Sequence, residues 1–144
     1  MQPRIIVDTS VFTGALIRAS GGANRQVLRL CLEERCLPLM GTKLFLEFES
    51  VLSRDSLFKA CPLSEEERLE FLASFLSVCT WISVHYLWRP NLLDEGDNHV
   101  LELAVAGGAG MIVTQNVRDF RRHELRFPEV QIITPFEFLK TMEA

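Results

Sequence analysis

Apolar positions along this chain alternate between two rhythms, one continuous or of period two and one of about 3.6 residues, and each change of rhythm delimits an element. Ile5-Ile6-Val7, after Arg4, is a β-branched run ending at Asp8, and Val11 to Ile17 follows with helical character. After the Gly21-Gly22 break, Asn24 opens a helix whose apolar face carries Val27, Leu28, Cys31 and Leu32. Leu37 to Met40 reads as a second strand, closed by Gly41-Thr42, and Leu44, Phe45, Phe48, Val51 and Leu52 then recur at helical spacing. Ser64 and Glu67 form a capping-box pair ahead of Leu69, Leu72, Phe75 and Leu76. Trp81 to Tyr86 alternates as a third strand would, and a polar loop from Arg89 to Gly96 leads into a helix over Asp97 to Ala106. Gly110 to Thr114 is a fourth strand and Val130 to Ile133 a fifth, with Thr134-Pro135-Phe136-Glu137 opening a last helix. Strands alternating with helices imply right-handed crossovers and a mostly parallel sheet covered on both faces. The expected fold is α/β, with about five strands in one domain over residues 1–144.

Composition narrows the class. Hydrophobic residues make up 48% and charged residues 24% of the chain, values that argue against disorder. Charges interrupt every apolar run, so no membrane span is expected, and Met1-Gln2-Pro3-Arg4 leads straight into the first strand without a secretory signal, which suggests a cytoplasmic protein. Cys31, Cys36, Cys61 and Cys79 have no C-x-x-C spacing and no histidine pair, so reduced thiols are expected rather than a zinc site. A net charge of −4 disfavours a general nucleic-acid binder, yet Arg118, Arg121, Arg122 and Arg126 cluster beside His123.

The chain has only five Asp, and their placement carries the chemistry. In an open parallel sheet, ligands bind beyond the carboxyl ends of the strands, where strand order reverses. Asp8 closes strand one, Asp94 and Asp97 follow strand three and Asp119 follows strand four, which leaves only Asp55 elsewhere. On a helical wheel Asp97 falls on the stripe of Val100, Leu101 and Ala104, while His99 is expected to point to solvent. Glu47 and Glu49 flank their own helix's stripe about equally, and spacing does not choose between them. Asp8 and Asp97 can each be an N-cap, and Asp119 a first-turn acid, when taken singly. Converging, such carboxylates repel one another unless a cation neutralises them, and hard oxygen donors of this kind suit Mg²⁺ or Mn²⁺.

Four segments, taken in order, resemble the PIN-domain nucleases: Ile6-Val7-Asp8-Thr9-Ser10-Val11-Phe12, Leu46-Glu47-Phe48-Glu49-Ser50-Val51-Leu52, Asp94 to Ala104, and Ile112 to Phe120. The resemblance is strongest to the VapC-like toxin components of bacterial toxin–antitoxin systems and runs from Arg4 to about Leu139. It implies a three-layer PIN-like fold and a Mg²⁺- or Mn²⁺-dependent ribonuclease. By position, the metal-binding and catalytic acids would be Asp8, Glu47, Asp97 and Asp119, which selects Glu47 over Glu49. Thr9, Ser10 and Asn116 would support them, with Asp94 in reserve. Many relatives carry a run of three acids where this chain has Gly96-Asp97-Asn98, and an aspartate where this chain has Asn116.

Arg118, Arg121, Arg122 and Arg126 are the candidates for holding RNA phosphates, unless they pair with Glu124 and Glu129. The resemblance also implies a homodimer and a small antitoxin, and Leu46, Leu87, Trp88, Leu92 and Leu93 are apolar positions that the stripes leave over. The alternative is a PIN fold that has lost its metal and binds RNA or acts as a scaffold. Other phosphate chemistries lack their marks. Asp8 has no second aspartate two positions on, no aspartate closes strand three, and no G-x-G-x-x-G follows strand one.

Overall fold

In a computed structural model, residues 2–17, 22–84, 98–121 and 128–143 are described. The elements run β1 (Arg4–Val7), α1 (Thr9–Ile17), α2 (Gly22–Leu32), β2 (Leu37–Met40), α3 (Thr42–Leu52), a 3-10 turn (Asp55–Phe58), α4 (Glu65–Val78), β3 (Thr80–Trp81), α5 (Asn98–Gly107), β4 (Met111–Val113), α6 (Val117–Arg121), β5 (Gln131–Ile133) and α7 (Pro135–Glu143). The strands form one five-stranded sheet in the order β3-β2-β1-β4-β5. Every pairing is parallel, with Ile6 opposite Ile112 and Val7 opposite Val113 at the centre. The chain builds outward from β1 to β3, then crosses back to lay β4 on the other side of β1. The reversal therefore falls between β1 and β4, and in open parallel sheets the ligand crevice lies at the carboxyl edge of that point.

Successive strand residues face opposite sides, so burial of consecutive residues shows that both faces are covered. Ile5, Ile6 and Val7 are all buried, as are Leu39 with Met40, Ile112 with Val113, and Ile132 with Ile133. Phe12 of α1 anchors one side, its ring 5.2 Å from Phe48 of α3, 5.4 Å from Phe71 and 5.5 Å from Phe75 of α4. α5 lies against β1 and β2. Its last residue has no side chain because a Cβ on Gly107 would come within 2.5 Å of Leu39 Cδ1.

Local signals act as their chemistry dictates. The capping box of α4 forms in both directions between Ser64 and Glu67. Thr134 and Glu137 exchange the same pair of bonds at the start of α7, at 2.9 and 3.1 Å. Boundaries differ from expectation most in α1, α2 and β3, while β4 and β5 are trimmed to Met111–Val113 and Gln131–Ile133. α1 begins at Thr9, not Val11, because the chain turns into helix directly off the strand, with Val11 N–H bonded to Asp8 C=O at 3.0 Å. α2 begins at Gly22, which at φ +46° takes the left-handed conformation at the break. β3 is Thr80–Trp81 rather than Trp81–Tyr86. It pairs only with Leu39 and Met40 at the end of β2, and Ile82 N–H to Met40 C=O is the last bond of the ladder. Ser83 and Val84 have no strand to pair with among the described residues, and His85 and Tyr86 lie outside them. All four cysteines are free thiols, with Cys31 and Cys36 buried. A hydrogen bond with Cys36, together with burial, pushes the Cys31 thiol up, and burial pushes Cys79 up to about 12, so both stay protonated. No helix among the described residues is long and apolar enough to cross a membrane.

Candidate active site

Asp8 stands one residue past β1, beside the end of β4, and is 6% exposed. Two hydroxyls serve the same carboxylate oxygen: Ser10 Oγ donates to Oδ2 at 2.8 Å and Thr114 Oγ1 donates to it at 2.7 Å. Each hydroxyl in turn accepts a backbone N–H from the loop after β4. Gln115 N–H reaches Ser10 Oγ at 3.1 Å, and Asn116 N–H reaches Thr114 Oγ1 at 2.9 Å. Gln115 is tied further by its amide, which donates to Asn24 Oδ1 of α2 at 2.7 Å. Asn24 is buried against Gly14 of α1, where a Cβ would fall 2.3 Å from the Asn24 amide nitrogen. The strand end, the β4 loop and two helices thus form one polar network around a single carboxylate, and such a network fixes geometry only when its members are satisfied.

Glu47 forms the facing wall. It sits on α3 beside the fully buried Phe48, which turns its side chain to the flank of the helix. Thr9 Oγ1 donates to Glu47 Oε1 at 2.6 Å, and His99 Nε2 meets Glu47 Oε2 at 2.9 Å. His99 belongs to the first turn of α5, and its side chain is 13% exposed. The expectation that His99 points to solvent is therefore corrected: at this end of α5, the side that a helical wheel assigns to water faces α3 across the crevice. The residue was missed as part of the site because that wheel recognises only one packed face.

The two acids carry opposite perturbations. Burial raises the Asp8 carboxyl above the ordinary carboxylate range, and the charge of Glu47 adds to the rise against the lowering effect of the Thr114 and Ser10 hydroxyls. Glu47 is lowered, chiefly by its hydrogen bond with His99 and also by Thr9, against a smaller rise from burial. Glu47 is thus readily ionised, while the neighbouring Asp8 bears the cost of a second charge. These two neighbouring acids, which repel each other when both are ionised, are hard oxygen donors that could hold a divalent cation.

The remaining site candidates are placed as follows. The structure brings Asp8, Thr9, Ser10 and Glu47 together. It does not bring in Glu49, which is exposed, or the Asn116 side chain, which is exposed as well. Asp119 lies in the first turn of α6 with its side chain exposed, and its own N–H bonds to Asn116 C=O at 3.0 Å. Among the described residues no three His, Cys, Asp or Glu side chains converge as a metal-binding group. Asp94, Asp97, Arg122 and Arg126 lie outside the described residues, as do Leu87, Trp88, Leu92 and Leu93. Arg118 is exposed and lines a shallow recess with Val117, Thr134 and Glu137, while Arg121 ends α6. Asp55, the aspartate away from the crevice, holds the buried Arg68 at 2.9 Å. Thr114 was not among the candidates, because nothing marks a threonine that closes a central strand as different from any other strand residue. An apolar recess of about 400 Å³ lies elsewhere, among Ala15, Leu16, Leu28 and Phe71.

The chain is similar in fold to VapBC2 from Rickettsia felis, whose crystal structure holds it bound to a DNA fragment from its promoter. The TM-score is 0.58 at 17% identity, with 91% of this chain and 98% of that chain covered. No curated protein matches the chain. A PIN domain model matches residues 4–118, which span both walls of the crevice from Asp8 through Glu47 and His99 to Thr114. With that match over most of its length, on a parallel sheet with acids at the switch point, the chain belongs to the PIN-domain family.

Proposed function

We propose that this chain is a Mg²⁺- or Mn²⁺-dependent endoribonuclease that hydrolyses RNA phosphodiester bonds and acts as the toxin of a toxin–antitoxin pair. The observation that carries the reading is the pairing of Asp8 with Glu47 at the switch point of the sheet, where burial and like charge penalise Asp8 unless a cation is present. Asp8 and Glu47 would be the first two ligands. Asp97, two positions before His99 in sequence, and Asp119, from the exposed first turn of α6, would complete the set, with Asp94 as a further polar group. When bound, the ion supplies Lewis acidity, which acidifies the attacking water and offsets charge on the phosphate. The protein's own work is to hold the acids still. Ser10 and Thr114 fix the Asp8 oxygen, Thr9 and His99 fix Glu47, and Asp119 orients the attacking water. An acidic crevice repels RNA, so phosphate affinity comes from the rim, from Arg118, Arg121, Arg122 and Arg126.

The test is cleavage of a fluorescent single-stranded RNA by the purified chain. Cleavage is expected with Mn²⁺ or Mg²⁺, and none with EDTA or in Asp8→Asn. Cleavage that survives either change refutes the reading. RNA binding without cleavage in saturating Mn²⁺ would identify the metal-free, RNA-binding alternative, for which Asn98 and Asn116, amides in place of acids, speak. The toxin assignment draws support from the fold likeness to VapBC2. Overexpression without a partner should arrest growth, and unchanged growth alongside an active ribonuclease removes that part.

A further inference from the structure

The geometry points to His99 as the positioning residue of Glu47: its ring nitrogen holds one carboxylate oxygen while the Thr9 hydroxyl holds the other, so that the acid is presented to the ion in one orientation. The inference rests on the reading of the crevice as a metal site. Glu47 projects from the flank of α3 with a side chain that is 37% exposed. A glutamate so placed has three torsions to sample and loses side-chain entropy when it is fixed. Its two bonds come from far along the chain, from Thr9 at 2.6 Å to Oε1 and from His99 at 2.9 Å to Oε2. With one donor on each oxygen, turning the carboxylate plane about its terminal bond breaks both hydrogen bonds. A carboxylate accepts about four hydrogen bonds, so capacity for coordination remains on both oxygens.

The two donors are not equivalent. Thr9 is the first residue of α1, immediately after Asp8, so its hydroxyl links the two acids. His99 comes from α5 and ties α3 to the helix that follows Asp97 in sequence. Its ring is largely withdrawn from water, and Nδ1 has no hydrogen-bond partner among the described residues. The bond to Glu47 is therefore the ring's one polar engagement there. Ring packing alone needs no nitrogen at 2.9 Å from a carboxylate; orientation of that carboxylate does.

The experiment is Mn²⁺ binding to the full chain at fixed pH, read as free Mn²⁺ by electron paramagnetic resonance without RNA or turnover. His99→Leu fills the space without a donor, and His99→Gln keeps an N–H that reaches the carboxylate. His99→Leu should weaken Mn²⁺ binding by roughly 10- to 100-fold, the range for losing a partner that orients a metal ligand. His99→Gln should recover most of that affinity. In a Glu47→Gln background, His99→Leu should add no further loss, since both changes remove one interaction. Equal losses from Leu and Gln, no loss from Leu, or full additivity with Glu47→Gln each overturn the assignment. If His99→Leu does not fold, His99→Asn, too short to reach Glu47, takes its place with the same expected loss. Wild-type protein that binds no Mn²⁺ at millimolar concentration sinks the metal reading itself, and that failure shows before any substitution is made.

Discussion

Thr114→Val removes one oxygen atom from the centre of the site and keeps the shape of the side chain. Thr114 is fully buried, donates to Asp8 Oδ2 at 2.7 Å and accepts Asn116 N–H at 2.9 Å. A hydrogen bond to a charged group is worth about 1.5–3 kcal/mol net, and no water reaches Thr114 to replace it. Asn116 is exposed, so solvent recovers most of what its N–H loses. The expected destabilisation is about 2–3 kcal/mol, a substantial part of the ~5–15 kcal/mol of a typical domain. At roughly 2–4 °C per kcal/mol for a chain of this size, Tm should fall by about 4–12 °C in EDTA at neutral pH. Thr114→Ser, which keeps the hydroxyl, should recover most of the loss.

The pH dependence is a stricter check. Because the folded Asp8 carboxyl is raised, the native state holds its proton more tightly than the unfolded chain does. Its contribution to stability is therefore fully present at low pH and is lost as pH rises through the folded pKa. Loss of the Thr114 hydroxyl raises Asp8 further, so the variant takes up the proton first as pH falls. Once both proteins are protonated, the missing bond is only a neutral one, worth about 0.5–1.5 kcal/mol. The gap between wild type and Thr114→Val should thus be widest at neutral pH and narrow on acidification. A Thr114→Val protein that melts with the wild type at neutral pH, or a gap that widens in acid, refutes the account of Asp8 as a charge held by hydroxyls.

Further outcomes are expected from the same geometry. Asp8→Asn should melt no lower than wild type at neutral pH in EDTA, since it removes a buried charge and keeps an oxygen that accepts from Ser10 and Thr114, and differential scanning fluorimetry should show that Mn²⁺ no longer raises its Tm. Glu47→Gln should abolish RNA cleavage while Glu49→Gln leaves it unchanged, and equal losses in a gel-based assay would reassign the acid. Arg118→Ala should weaken RNA binding and reduce the slope of log K against log salt by about 0.7 for each phosphate that is no longer neutralised, as measured by fluorescence anisotropy. Light scattering at micromolar protein should give twice the 16.4 kDa chain mass, and a clean monomer would remove the homodimer.

How much of this was legible in the sequence depended on whether a residue's surroundings are local. β1, β2 and β4 could be read as uninterrupted apolar runs because both of their faces are buried. The capping pairs Ser64/Glu67 and Thr134/Glu137 were legible because each is completed within four residues. β3 was misjudged in length because its extent is set by β2, which ends at Met40, and not by its own alternation. Asp8 could be found from its position after a central strand. Thr114 could not, since its role exists only where β4 lies beside β1, 106 positions from Asp8 in sequence.

The choice between Glu47 and Glu49 shows why helical periodicity stops short at a site. The wheel for α3 measures distance from one apolar stripe, and the two glutamates are level on it. What separates them is a second surface, supplied by Thr9 on one side and His99 on the other, neither of which belongs to α3. The same second surface reverses the expectation for His99, whose flank of α5 would be wet on an isolated helix. A crevice at the switch point is where helices from both sides of the crossover bring their polar flanks within reach of one another. Polar residues that a wheel scores as ambiguous or solvent-facing, at the sheet's carboxyl edge, are therefore the ones that this fold joins by hydrogen bonds. That holds for Glu47 and His99, and the exposed Asp119, on the five-residue helix α6, marks where the same edge opens to solvent.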